Sequence, residues 1–249
     1  MPSFKLCLAD KVIAAECMYS ETAEFCRDYL TDADAEISVS VSADDIAFEA
    51  RKSAEERANE GLAPYEFSPE YLETLALYRK IAEALVNYGI ILFHGSAVCV
   101  DGEAYIFTAK SGTGKSTHTR LWREYLGERC VMVNDDKPLI ALTDKGAVVY
   151  GTPWNGKHRL GANISAPLKA ICILGRAERN SIIPQNQRDV FGELFGQTYR
   201  FADPVGMKKT LEILDRLLSS VSLYRLGCNM DIEAAEVAYN KIRGQKNEA

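Results

Sequence analysis

The residues of this chain best suited to chemistry are those that handle phosphate. Ala109-Lys-Ser-Gly-Thr-Gly-Lys-Ser116 follows the pattern Gly-x-x-x-x-Gly-Lys-[Ser/Thr], with alanine in the first place. Gly112 and Gly114 permit backbone angles that turn consecutive N–H groups inward, and Ser111, Thr113 and Thr117 complete the rim of such an anion nest. A helix starting near Gly114 adds its positive end to the same point. In this pattern Lys115 spans the β- and γ-phosphates and the Ser116 hydroxyl ligates magnesium. Ala109 is nearly free of cost at negative φ, and costs about 1 kcal/mol if its φ must be positive.

A triphosphate site also needs carboxylates. Val131-Met-Val-Asn-Asp135-Asp136 offers two, at the end of an apolar strand one helix and loop after the turn. One acid can hold magnesium, directly or through water, leaving the other as a base toward an incoming hydroxyl. Gly151-Thr-Pro-Trp-Asn-Gly-Lys-His-Arg159 follows a further strand. Its Lys157 or Arg159 could neutralise charge on a phosphoryl group in transfer. Trp154 reads equally as a platform for an acceptor or adenine and as a core residue. His118, one turn into the helix, reads as structural. Lys208-Lys209 and the Lys241–Lys246 cluster read as solvated faces, and His94, taken alone on its apolar strand, as a core histidine.

These side chains need a framework, and periodicity supplies one. Strands are expected at Phe4–Leu8, Ile37–Val41, Ile90–Phe93, Ala97–Val100, Tyr105–Thr108, Val131–Val133, Leu139–Leu142, Val148–Tyr150, Ala170–Leu174 and Leu223–Leu226. A charged helix from Asp44/Asp45 to Glu60 ends at Gly61. The next has Ser68 as N-cap and Pro69 at its first position, Gly89 just past its end, and a stripe of Tyr71, Leu75, Tyr78, Ala82 and Leu85. Later helices are expected over Asp189–Tyr199, over Met207–Val221 with Leu211, Leu214, Leu218 and Val221 on one face, and over Asp231–Arg243, stopped by Gly244. The fold class is therefore α/β: a mixed central sheet with flanking helices and a phosphate loop, preceded by a small α+β segment. We divide the chain into residues 1–90, a segment covering the core, and 91–249, the nucleotide-binding domain.

Composition narrows the partners. The 249 residues are 47% hydrophobic, and 29 basic against 35 acidic side chains leave a net charge of −6. Such a chain lacks the basic field that nucleic acid or an anionic membrane would need. No apolar run approaches the ~20 residues of a membrane-spanning helix, and the first ten residues do not read as a signal peptide. The seven cysteines are odd in number and widely spaced, with no Cys-x-x-Cys pair. They read as free thiols in a reducing cytoplasm, not as zinc ligands. Homo-oligomerisation is compatible with this composition.

Taken together and in order, Phe93-His-Gly-Ser-Ala-Val-Cys-Val-Asp-Gly102, Ala109 to Ser116 and Asn134-Asp-Asp136 resemble the catalytic domain of HPr kinase/phosphorylase. That family comprises bacterial serine kinases whose nucleotide fold is akin to ATP-dependent phosphoenolpyruvate carboxykinase. The match covers residues 93–136, and residues 151–174 more loosely. The resemblance implies that Lys115 grips the phosphates, Ser116 and Asp136 hold Mg2+, Asp135 is the base, and His94 lies near the γ-phosphate. Where the family carries a glutamate before the glycine of the next strand, Val148 and Val149 stand here. The family's phosphorylase loop has no clear counterpart, and residues 1–90 do not look like its regulatory domain. The implied activity is thus an ATP- and magnesium-dependent phosphotransfer to a hydroxyl, Ser in a protein or peptide, with a nucleoside triphosphate as donor. The alternative is a nucleotide-binding regulator or slow ATPase without a dedicated acceptor. A carboxykinase is disfavoured by the chain's short length and by the lack of an evident cationic substrate pocket.

Overall fold

A computed structural model of the chain describes residues 2–59 and 61–244. The expected helix end at Glu60 and the last lysine of the C-terminal cluster, Lys246, lie outside the described residues. The sequence reading divides the chain at 90/91, whereas the contacts define two compact units, Met1–Leu85 and Val86–Ala249.

In the first unit, β1 (Ser3–Leu8) and β2 (Lys11–Glu16) form an antiparallel hairpin, and β3 (Ile37–Ser40) runs parallel to β2. Ala9 and Asp10 turn the hairpin, both at positive φ. Neither is glycine or asparagine, so the turn and β2 leave little trace in the sequence. A short helix α1 (Glu21–Phe25) is followed by α2 (Ala43–Asn59) and α3 (Pro69–Leu85). Ser42 and Asp45 cap α2 reciprocally: the Ser42 N–H donates to Asp45 Oδ2 (3.0 Å) and the Asp45 N–H to Ser42 Oγ (3.3 Å). Ser68 Oγ accepts from the Tyr71 N–H at the start of α3. Arg79 ties the two long helices, with Nε on Glu49 (2.7 Å) and Nη2 on Asp45 (2.9 Å).

The buried side of α3 is wider than the expected stripe and shifted from it. Leu72, Leu77 and Ile81 are buried, whereas Tyr71 is 42% exposed. Glu73 is also buried, because its carboxylate accepts from the Tyr19 N–H and the Thr22 hydroxyl at the start of α1.

In the second unit, a nine-stranded sheet curls around one long strand. Its strands are β4 (Ile90–Leu92), β5 (Ser96–Val100), β6 (Glu103–Thr108), β7 (Cys130–Asn134), β8 (Leu139–Thr143), β9 (Gly146–Tyr150), β10 (Ser165–Arg176), β11 (Ser181–Pro184) and β12 (Ser222–Cys228). β10 begins antiparallel to β9, then runs parallel to both β6 and β12. Twelve residues long, it far exceeds the expected Ala170–Leu174, because its opening Ser-Ala-Pro-Leu-Lys stretch alternates exposed and buried instead of forming a plain apolar run. Four helices accompany the sheet: α4 (Lys115–Leu126), α5 (Gln187–Phe195), α6 (Pro204–Ser220) and α7 (Glu233–Gly244).

Alternation along the strands divides the core by sheet face. Ile106, Ile171 and Ile173 join Leu214, Leu217 and Leu218 of α6. Tyr105, Phe107 and Cys172 join Trp122 of α4 and Ala238 of α7. α6 starts three residues before the expected Met207, since Asp203 caps it by accepting from the Gly206 N–H (2.7 Å) and Pro204 takes the first turn. Its buried stripe runs through Thr210, Ile213, Leu214, Leu217 and Leu218. All seven cysteines are free, and burial pushes the thiols of Cys17 and Cys130 up to about 12. Among the described residues no helix is long and apolar enough to cross a membrane.

Candidate active site

The candidate site lies where β6 and β7 end, the crevice at the carboxyl ends of strands that open α/β sheets use for ligands. The turn after β6 passes through Gly112 at φ +73° and Gly114 at φ +123°, conformations that only glycine adopts without strain. The non-glycine residues at positive φ among those described are Ala9, Asp10, Asp101 and Arg159. Ala109 therefore sits at negative φ, where it meets none of the penalty it could have carried. Gly114 heads α4, no side chain caps that end, and the first turn contains no acid. Its leading amides and the positive end of the helix dipole are left for an anion.

Lys115 Nζ donates to the Ala109 carbonyl across the loop (3.3 Å). Burial lowers its pKa, while Asp136 and Asp135 act in the opposite direction. The ammonium group thus stands within the field of both acids.

The two carboxylates occupy different settings. Asp135 is 6% exposed. It accepts from Ser96 Oγ (2.8 Å), and the nearby Ser116 hydroxyl favours its charged form. Burial raises its pKa above the ordinary carboxylate value, an effect that the two hydroxyls only partly offset. Asp136, whose side chain is 31% exposed, faces His94 instead, at 3.5 Å from Nε2. The Gln197 side-chain amide lies 2.9 Å from His94 Nδ1, a hydrogen bond whose direction follows the imidazole tautomer, while Nε2 is the ring nitrogen that faces Asp136. Burial and Lys115 keep the His94 pKa below its usual value, against the pull of Asp136.

Asn134 shapes the acidic turn. Its Oδ1 accepts from the N–H groups of Asp136 (2.9 Å) and Lys137 (2.7 Å), and its Nδ2 donates to the carbonyl and hydroxyl of Thr152. This amide fastens the loop after β9 to the end of β7. Gly156 of that loop takes φ +76°, and a Cβ there would stand 3.3 Å from the Asp136 Cβ. Lys157, His158 and Arg159 of this loop are all exposed. Trp154 is 4% exposed, so of its two readings the core one holds and it offers no open face to a base. His118 is buried and accepts from Trp122 Nε1 (3.0 Å), in keeping with a structural role.

The structure thus gathers Lys115, Ser116, Asp135, Asp136 and His94 around the phosphate loop. The sequence reading gives no role to Ser96, Asn134 or Gln197. Ser96 and Asn134 stand inside the stretches that carry the resemblance, whereas Gln197, just past the end of α5, leaves no local signal.

No magnesium ligand set of three or more His, Cys, Asp or Glu side chains exists among the described residues. Magnesium, however, keeps several waters and needs only one or two carboxylates besides phosphate oxygens. Two adjacent carboxylates and a serine hydroxyl are hard oxygen donors that fit it.

No family model matches the chain, and no curated protein matches it. Among solved structures, the chain is similar to the Hpr(Ser) kinase/phosphatase from Coxiella burnetii, with 10% identity and a TM-score of 0.34 over 63% of this chain and 99% of that one. The likeness is a distant one.

Proposed function

We propose that the chain is an ATP- and magnesium-dependent phosphotransferase that acts on a hydroxyl, a Ser side chain of a protein or peptide, in a manner resembling HPr kinase. One observation carries this reading. An uncapped helix start behind a glycine turn, a lysine and a pair of unequally buried carboxylates converge at the ends of β6 and β7.

The loop amides of residues 111–117 and Lys115 hold the phosphate tail and take up the charge that develops as it is transferred. Magnesium, when bound, neutralises that tail; Ser116 and a carboxylate hold it. The resemblance gives Asp136 to the metal and makes Asp135 the base. Burial argues for the reverse: Asp135 is enclosed with Ser116, while Asp136 is the carboxylate an acceptor can approach. In our reading Asp136 takes the proton from the acceptor hydroxyl as its oxygen bonds to the γ-phosphorus, and the bond from phosphorus to the diphosphate oxygen breaks. His94, held by Gln197 and kept below its usual pKa by burial and Lys115, positions Asp136 when its Nε2 carries the proton. Arg159, on the exposed rim of the adjoining loop, supplies positive charge toward the transferred group.

Incubation of the protein with γ-labelled ATP, magnesium and a lysate of its source cells tests the reading. A labelled protein or peptide band that disappears with Lys115→Ala is expected. Release of free phosphate alone would instead identify a nucleotide hydrolase or switch.

A further inference from the structure

A cavity of about 670 Å³ opens beside the phosphate loop, lined by Gly112, Gly114, Thr117 and His118 on one side and by the ends of β10 and β12 on the other. Its volume lies within the range of about 300–1,000 Å³ usual for small-molecule sites. We infer that it receives the nucleoside end, ribose and base, of the triphosphate whose tail the loop holds; the inference rests on the phosphate-loop reading above.

The argument is one of position and then of chemistry. The cavity shares its rim with the loop, yet neither Lys115, Asp135, Asp136 nor His94 lines it. A tail whose reacting end lies at the acid pair therefore runs along the loop and delivers its other end here. The walls suit a flat, weakly polar group. Arg176 donates to the carbonyl of Gly112 (2.6 Å), which holds its guanidinium plane at the cavity edge. Ala177, Cys228 and the thioether of Met230, 77% exposed, add apolar surface. The Glu178 carboxylate on the same wall disfavours a second phosphate and can accept from ribose hydroxyls.

The Asn229 amide is committed internally: Nδ2 donates to Asp231 Oδ2 (3.0 Å) and Oδ1 accepts from the Asp231 N–H (3.0 Å). The base is thus held by its faces and shape, without an edge read by that amide. His118, also on the wall, carries a buried Nδ1 without a partner; since Nε2 accepts from Trp122, this nitrogen holds the proton.

Calorimetric titration with magnesium–ATP and with magnesium–tripolyphosphate tests the assignment. Wild-type protein is expected to bind ATP at least tenfold more tightly than tripolyphosphate. Ala177→Trp, which fills the cavity, is expected to reduce ATP to the affinity of tripolyphosphate while leaving tripolyphosphate binding unchanged. Met230→Trp on the exposed wall provides the same comparison should Ala177→Trp fail to fold. Equal affinity of the wild type for both ligands, or ATP binding indifferent to both substitutions, would overturn the cavity assignment and leave the phosphate loop standing. If neither ligand binds the wild type, the phosphate-loop reading fails, and the cavity assignment with it.

Discussion

Ser96 Oγ donates to Asp135 (2.8 Å), the more buried of two adjacent carboxylates, while Asp136 stands 3.5 Å from His94 Nε2. In the proposed mechanism this division of partners gives the two acids different roles. Asp135→Asn is expected to raise the magnesium concentration needed for half-maximal activity about tenfold or more. Asp136→Asn should lower kcat by about 10²–10⁴ at saturating magnesium, the usual contribution of a proton acceptor. Magnesium titrations of both variants check this, and the opposite pattern would return the base to Asp135.

Asn134 is the clamp of the acidic turn. Asn134→Ala leaves buried Thr152 and the partly buried Asp136 and Lys137 amides without this partner. The expected loss of stability is about 2–3 kcal/mol, measured by urea unfolding, together with weaker magnesium–ATP binding.

His118 makes stability depend on pH. Burial pushes its pKa down to about 4 from 6.5. Between those values the unfolded chain takes up a proton that the folded imidazole refuses, so this contribution is complete above pH 6.5 and is lost as pH falls toward 4. The full shift corresponds to about 3 kcal/mol. Unfolding free energies at pH 7.5 and 5 should differ less in His118→Asn than in the wild type; an unchanged difference would contradict the account.

Ala109, at negative φ, already has the backbone that the loop requires. Ala109→Gly is therefore expected to change ATP affinity by less than about threefold. A large gain would mean that the loop needs left-handed geometry there.

The phosphate loop was legible in the sequence because its chemistry is local: two glycines, a lysine and a serine act within a few residues of one another. The acid pair was equally legible as a pair, since it ends an apolar strand. How its members divide was not, because Asp135 is enclosed by Ser96 and Ser116, and His94 by Gln197, all distant along the chain. The α6 stripe was misplaced for a related reason. Asp203-Pro204 starts the helix before its apolar period begins, and Thr210 and Leu217 turn inward where the sequence reading picked Leu211 and Val221. Strands β2 and β11 were missed because Ala9-Asp10 is an unusual hairpin turn and β11 is a short, mostly exposed strand.

The most direct test of the central claim is calorimetry of magnesium–ATP with wild-type protein and Lys115→Ala. Saturable heat from the wild type, with binding at least tenfold weaker in Lys115→Ala, is the predicted result. Absence of heat from the folded wild-type protein at millimolar nucleotide, or equal affinity in both proteins, would contradict it.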